Sequence, residues 1–174
     1  DKKILHLDFT PAEPEVFYDP QIELIGDIAS SLASLGDALK GYVFDGSYCN
    51  KLRKLLDKLL FVDGADDPSF PLKPRRIVAD VRKVMGGEDI LCLDNGIYKL
   101  WFSRHYKAYS IGTFLLDNAL ATMGAGLPMA MAAKMVNPGK KVLAIAGDGG
   151  FMMNSQEMET ALRYHLPIVI LLLN

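Results

Sequence analysis

The stretch Lys141–Asn174, KVLAIAGDGGFMMNSQEMETALRYHLPIVILLLN, constrains the fold most. Val142 to Ala146 and Ile168 to Leu173 are continuous apolar runs of strand length. Strands apolar on both faces belong in a sheet covered on two sides, and two of them joined through a helix run parallel. Between them, Gly147-Asp148-Gly149-Gly150 reads as a turn. Asn154 or Ser155 reads as a helix cap, with Glu157 and Glu159 in the first turn, where the macrodipole favours acids. Pro167 closes the helix region. The expected class is α/β, with parallel sheets and flanking helices.

The glycine turn carries the chemistry. Glycines admit close approach of a ligand to the backbone, and amides at a helix start favour an anion such as phosphate. Asp148 stands in the middle of that loop. A carboxylate ~4 Å from a phosphate costs about 1 kcal/mol in water and about 4 kcal/mol at an effective dielectric near 20. A cation between them removes the conflict, and carboxylate plus phosphate oxygens is the donor set Mg²⁺ prefers. The residues therefore read as a metal-bridged diphosphate site. The plain alternative is a tight turn with a solvated aspartate.

The remaining chain supplies context. Lys3 to Asp8 and Ile22 to Ile25 read as strands, and Asp27 caps a helix running to about Leu39. Leu52, Leu55, Leu56, Leu59 and Leu60 mark one helix face, with Lys51, Arg53, Lys54 and Lys58 on its solvated sides. Residues 63–74, DGADDPSFPLKP, read as a linker. A helix over Arg75 to Met85 and a strand over Asp89 to Asp94 follow, and Asn95-Gly96 turns out of that strand. Ligands bind beyond the carboxyl ends of parallel strands, so this turn is expected beside the Gly147 turn. Leu115 to Val136 is rich in small residues and reads as a tightly packed helix, with Met129, Met131 and Met135 in the core.

With a net charge of −2 and no basic stripe, the chain does not fit a nucleic-acid binder. Its longest apolar run is of strand length, short of the roughly 18 residues of a membrane span. The start reads as a strand rather than a signal peptide. Cys49 and Cys92, far apart and without a CxxC pattern, are expected to be buried and reduced, consistent with a cytoplasmic location. The first residue is Asp, and the last lies in a buried-type strand, so the chain reads as an excerpt.

Gly147-Asp148-Gly149, followed after an apolar strand by Asn174, resembles the thiamin diphosphate (ThDP) motif. Gly124-Ala125-Gly126-Leu127-Pro128 upstream and Glu157-Met158-Glu159-Thr160-Ala161 downstream make the resemblance specific to acetolactate synthase-like enzymes. The resemblance implies three parts: residues 1–62 as the end of a Rossmann-like central domain, 63–74 as linker, and 75–174 as the first half of the ThDP-binding domain. It implies Mg²⁺ held by Asp148 and diphosphate by Gly149 and Gly150. Met123 would prop the cofactor in its bent shape, and the Ala121 carbonyl would accept a hydrogen bond from the aminopyrimidine. In acetolactate synthases a Gly-Gln-His-Gln-Met-Trp stretch contacts the diphosphate. Here it is Gly96-Ile97-Tyr98-Lys99-Leu100-Trp101, so the resemblance implies contact through the Gly96, Ile97 and Tyr98 backbone rather than through the replaced side chains.

The resemblance further implies decarboxylation of a 2-oxo acid such as pyruvate and ligation of the product to a second carbonyl compound, in branched-chain amino acid biosynthesis. The active site would lie at the subunit interface of a homodimer or homotetramer. FAD, bound in the central domain by biosynthetic acetolactate synthases, is left open. No catalytic residue is expected in this chain. The activating glutamate belongs to an N-terminal domain, usually the partner subunit's, and the second Mg²⁺ ligand aligns beyond Asn174. These 174 residues alone are therefore expected to show no turnover. Other ThDP activities (glyoxylate carboligase, pyruvate oxidase or benzoylformate decarboxylase type) are alternatives. A non-catalytic nucleotide-binding Rossmann module is the rival from another class, disfavoured because no GxGxxG follows a strand.

Overall fold

The computed structural model describes residues 3–15, 17–60, 64 and 66–174. The chain divides into two compact units, residues 1–49 and 50–174. The expected boundary at Val62–Asp63 lies outside the described residues. Asp67, within the 63–74 stretch, is tied to the start of the following helix: Lys73 pairs with it at 2.9 Å, and Arg76 donates to its carbonyl at 2.8 Å.

In the first unit, β1 (Leu5–Asp8) pairs in parallel with β2 (Ile22–Ile25), Leu5 opposite Ile22. Helix α1 (Ile28–Ala38) starts where expected, because the Asp27 carboxylate accepts the Ser30 amide at 2.8 Å. Helix α2 (Ser47–Leu60) begins at the end of this unit and continues into the second; it carries the leucine face read from the sequence, and Leu52, Leu55, Leu56 and Leu59 on it are exposed.

The second unit is built on a parallel sheet. In chain order its elements are α3 (Pro74–Val84), β3 (Ile90–Leu93), α4 (Ile97–His105), β4 (Phe114–Leu116), α5 (Gly126–Val136), β5 (Val142–Gly147), α6 (Asp148–Asn154), α7 (Glu157–Arg163) and β6 (Val169–Leu173). The sheet order is β4-β3-β5-β6, all parallel. Strand alternation sorts the apolar residues onto two faces. Leu91, Leu93, Leu143 and Ile145 meet Val78 and Val81 of α3 and Tyr98 and Phe102 of α4. Ile90, Cys92, Val142 and Ala144 meet Ala130 and Ala133 of α5. Alanines on both sides of that second contact let α5 lie close to the sheet.

Three local expectations need correction. Leu115–Val136 is not one helix: it holds the end of β4, a loop from Asp117 to Ala125, and α5. Within it Met131 is buried and Met129 packs against the core, whereas Met135 is exposed. The Asp148-Gly149-Gly150 segment is already helical, so neither Asn154 nor Ser155 caps a helix start. Glu157 and Glu159 do occupy a first turn, that of α7. Finally, Cys49 is exposed, and only Cys92 is buried. No helix among the described residues is long and apolar enough to cross a membrane.

Candidate cofactor site

The chain leaves β3, places β4 on one side, and returns to place β5 on the other. This reversal opens a crevice at the carboxyl ends of β3 and β5, where ligands bind in open parallel sheets. The loops after β3 (94–96) and β4 (117–125) and the start of α6 (148–150) meet there, with Met123 beside Gly149, Asp94 beside Gly150 and Tyr98 beside Gly147.

Asp148 heads α6 and is exposed. Among the described residues no side chain or amide hydrogen-bonds its carboxylate. Gly149 is exposed, and a Cβ added to it would meet only the Met123 Cε, at 3.4 Å. Met123 is 44% exposed although apolar. Ala121 is exposed, with a φ of 50° in the left-handed region that non-glycine residues seldom occupy. Gly96 and Ile97 are exposed at the start of α4. Tyr98 is not: at 5% exposure, its ring fills the space between the ends of β3 and β5, and its hydroxyl donates to the Asn95 carbonyl at 3.1 Å. Burial pushes the Tyr98 hydroxyl above its ordinary range. The Gly147 backbone opposes that shift, and the Asp94 and Asp148 carboxylates add to it.

The loop carrying Ala121 and Met123 is held by polar groups that sequence reading missed. Asp94, only 1% exposed, accepts the Asn95 amide at 2.7 Å and the Gly124 amide with both oxygens, at 2.9 and 3.1 Å. Gly124 adopts a φ of 87°, and its carbonyl accepts Asn154 Nδ2 at 2.8 Å. Gly150 is a close approach: a Cβ there would lie 2.5 Å from Asp94 Oδ2. Asp117 accepts the Thr122 amide at 3.1 Å, and this bond holds its carboxyl below the usual carboxylate range, with the Leu120 and Ala119 amides contributing. The available signal was Asp94-Asn95 at the carboxyl end of an all-apolar strand. Its partners, about 30 and 56 positions away, are set by topology.

Among the described residues no group of three or more His, Cys, Asp or Glu side chains is arranged to hold a metal ion. Asp148, expected as a metal ligand, belongs to no such group.

Comparison with known proteins identifies the family. The family described as "Thiamine pyrophosphate enzyme, C-terminal TPP binding domain" matches residues 94–174, which begin at Asp94 and include both loops and the start of α6. The chain is 34% identical over 173 residues to "Acetolactate synthase, catabolic" of Raoultella terrigena, covering 95% of this chain and 30% of that protein. It is 34% identical over 181 residues to "Acetolactate synthase" of Bacillus subtilis (strain 168), covering all of this chain and 31% of that protein. The same organism's "Putative thiamine pyrophosphate-containing protein YdaP" is 40% identical over 108 residues, 62% of this chain and 19% of that protein. The chain spans about three-tenths of the length of its acetolactate synthase relatives. Residues 94–174, with the free Asp148 carboxylate and the clamped 117–125 loop, are a thiamine pyrophosphate-binding domain, and the chain that carries them belongs to the acetolactate synthase-like ThDP family.

Proposed function

We propose that this chain is the diphosphate-holding part of a ThDP- and Mg²⁺-dependent enzyme that decarboxylates a 2-oxo acid and joins the remaining carbon unit to a second carbonyl compound. The observation that carries the reading is the pairing, in one crevice, of an unpartnered Asp148 carboxylate with the exposed Gly149 backbone and the Met123 side chain beside it. Asp148 would ligate Mg²⁺, which in turn neutralises the diphosphate. The Gly149 and Gly150 backbone would receive the diphosphate, since amides in a first helical turn have no intrahelical acceptor. Gly96 and Ile97 would border it through their backbone. Tyr98 would act from beneath, its buried ring packed against Gly96 and Gly147.

When bound, ThDP supplies a carbanion for attack on the keto carbon of the 2-oxo acid. The chain's own part is orientation. Met123 would support the bend between the two rings, a task suited to a polarizable, flexible side chain. The Ala121 carbonyl would accept from the aminopyrimidine. With relatives named acetolactate synthase, the 2-oxo acid of this reading is pyruvate. The oligomer with a shared active site and the cytoplasmic setting belong to the same reading.

Titration calorimetry of ThDP on the full-length protein, with and without Mg²⁺ and on Asp148→Ala, tests it. Binding that needs Mg²⁺ and is lost in the variant is expected. Binding indifferent to both overturns the assignment of Asp148.

A further inference from the structure

Lys99 sits one turn from its neighbour Asn95, and its ammonium is spent within the loop network. Its Nζ donates to Asn95 Oδ1 at 2.5 Å and to the Asp117 carbonyl at 2.6 Å. Asn95 Nδ2 donates in turn to the Thr122 carbonyl at 2.9 Å. The Thr122 amide donates to the Asp117 carboxylate at 3.1 Å. Lys99, Asn95, Thr122 and Asp117 thus close a ring of hydrogen bonds around the segment that carries Ala121.

A half-buried ammonium normally finds a carboxylate, but among the described residues Lys99 forms no ion pair. Its two acceptors are a side-chain amide and a backbone carbonyl. Bonds from a charged donor to neutral acceptors are stronger than neutral ones, yet they cost solvation of the charge. What they hold is a loop with an unfavourable residue in it, since Ala121 has a φ of 50°. Asp94 and Asn154 fix only Gly124, at the far end of the same loop. Without Lys99, Asn95 would reach Asp117 only by way of Thr122, and nothing described would hold the Asp117 carbonyl.

We infer that Lys99 is a positioning residue: it locks segment 117–122 so that the Ala121 carbonyl and Met123 stand ready for the aminopyrimidine end of the cofactor. The inference rests on the ThDP reading above. It separates two ends of one site, because Lys99 touches neither Asp148 nor the Gly149-Gly150 backbone.

The test uses the full-length protein and its Lys99→Met variant, with Lys99→Gln as the milder change should Lys99→Met not fold. Amide hydrogen exchange over 117–124 is measured without cofactor. Calorimetry then compares Mg²⁺-ThDP, which engages both ends, with Mg²⁺-pyrophosphate, which engages only the diphosphate end. Exchange in the segment is expected to rise at least ~5-fold, in keeping with a local opening made easier. The dissociation constant for ThDP should rise about 10-fold while that for pyrophosphate stays within about 2-fold. Unchanged exchange overturns the inference, as does equal weakening of both ligands. If the unaltered protein takes Mg²⁺-pyrophosphate but not ThDP, the cofactor reading is what fails, and the exchange data still decide whether Lys99 holds the loop.

Discussion

The Asp94 carboxylate and the Gly124 amide lie on loops following different strands, and both carboxylate oxygens reach that amide, at 2.9 and 3.1 Å. This contact welds the end of β3 to the loop after β4. Asp94→Ala removes the acceptor of two buried amides, those of Gly124 and Asn95, and is expected to destabilise the protein by about 3 kcal/mol. Urea denaturation of the full-length protein measures it. Asp94→Asn keeps one acceptor oxygen and should cost less.

Gly149 and Gly150 are adjacent, yet alanine should affect them differently. At Gly150 the new Cβ would strike Asp94 Oδ2 at 2.5 Å, an overpacking cost of about 1–3 kcal/mol. At Gly149 it would meet only the mobile end of Met123 at 3.4 Å, so the folded protein should keep its stability. ThDP affinity should nevertheless fall in Gly149→Ala, because the methyl group intrudes where the diphosphate is proposed to approach. Thermal melts together with calorimetry separate the two effects.

Asp117 should titrate below the roughly 3.9 of a free aspartate, because it accepts the Thr122 amide. For a carboxyl depressed on folding, the stabilisation is present above the unfolded value and is lost as pH falls through the folded one. The 117–122 turn should therefore stay intact at pH 5 and loosen only in strong acid. The carboxyl ¹³C shift of Asp117, followed through an acid titration, checks the midpoint. A midpoint at or above the free value contradicts it.

The two cysteines should differ sharply towards thiol reagents. Burial pushes the Cys92 thiol up to about 12, and its side chain is inaccessible in the sheet. Cys49 is exposed. One equivalent of label is expected on the native protein's pair, at Cys49, and two after denaturation. Peptide mapping identifies the site, and native labelling of Cys92 would be inconsistent with β3 as a buried central strand.

The elements were legible in the sequence where the signal is local. Val142–Ala146 needed only its continuous apolar run, and α2 only its leucine spacing. Asp148 and its glycines stood out because a carboxylate in a phosphate-type loop is an electrostatic contradiction that a metal resolves. What could not be read was which polar residues serve the loop after β4. Asp94, Lys99 and Asn154 look like ordinary strand-end or helix polar residues, and their partners become neighbours only through the strand order. The small-residue run 115–136 misled for a related reason. Its alanines suit both a loop exposed to a ligand (Ala119, Ala121) and a helix against a sheet (Ala130, Ala133), and composition does not divide the two.

Strand β3 pairs with two strands that both follow it in the chain, the nearer starting at Phe114 and the farther at Val142. A chain emerging from a ribosome must therefore carry ILCL, apolar on every side, through some fifty further residues before its second neighbour is made. Loop closure on that scale has to precede the contacts that reward it, which is a slow order of events. The crevice proposed for the cofactor lies at the carboxyl ends of β3 and β5, so it cannot exist in part. It arrives in the same step that shelters β3, and any change that delays β5 leaves the newborn chain both without a site and prone to self-association.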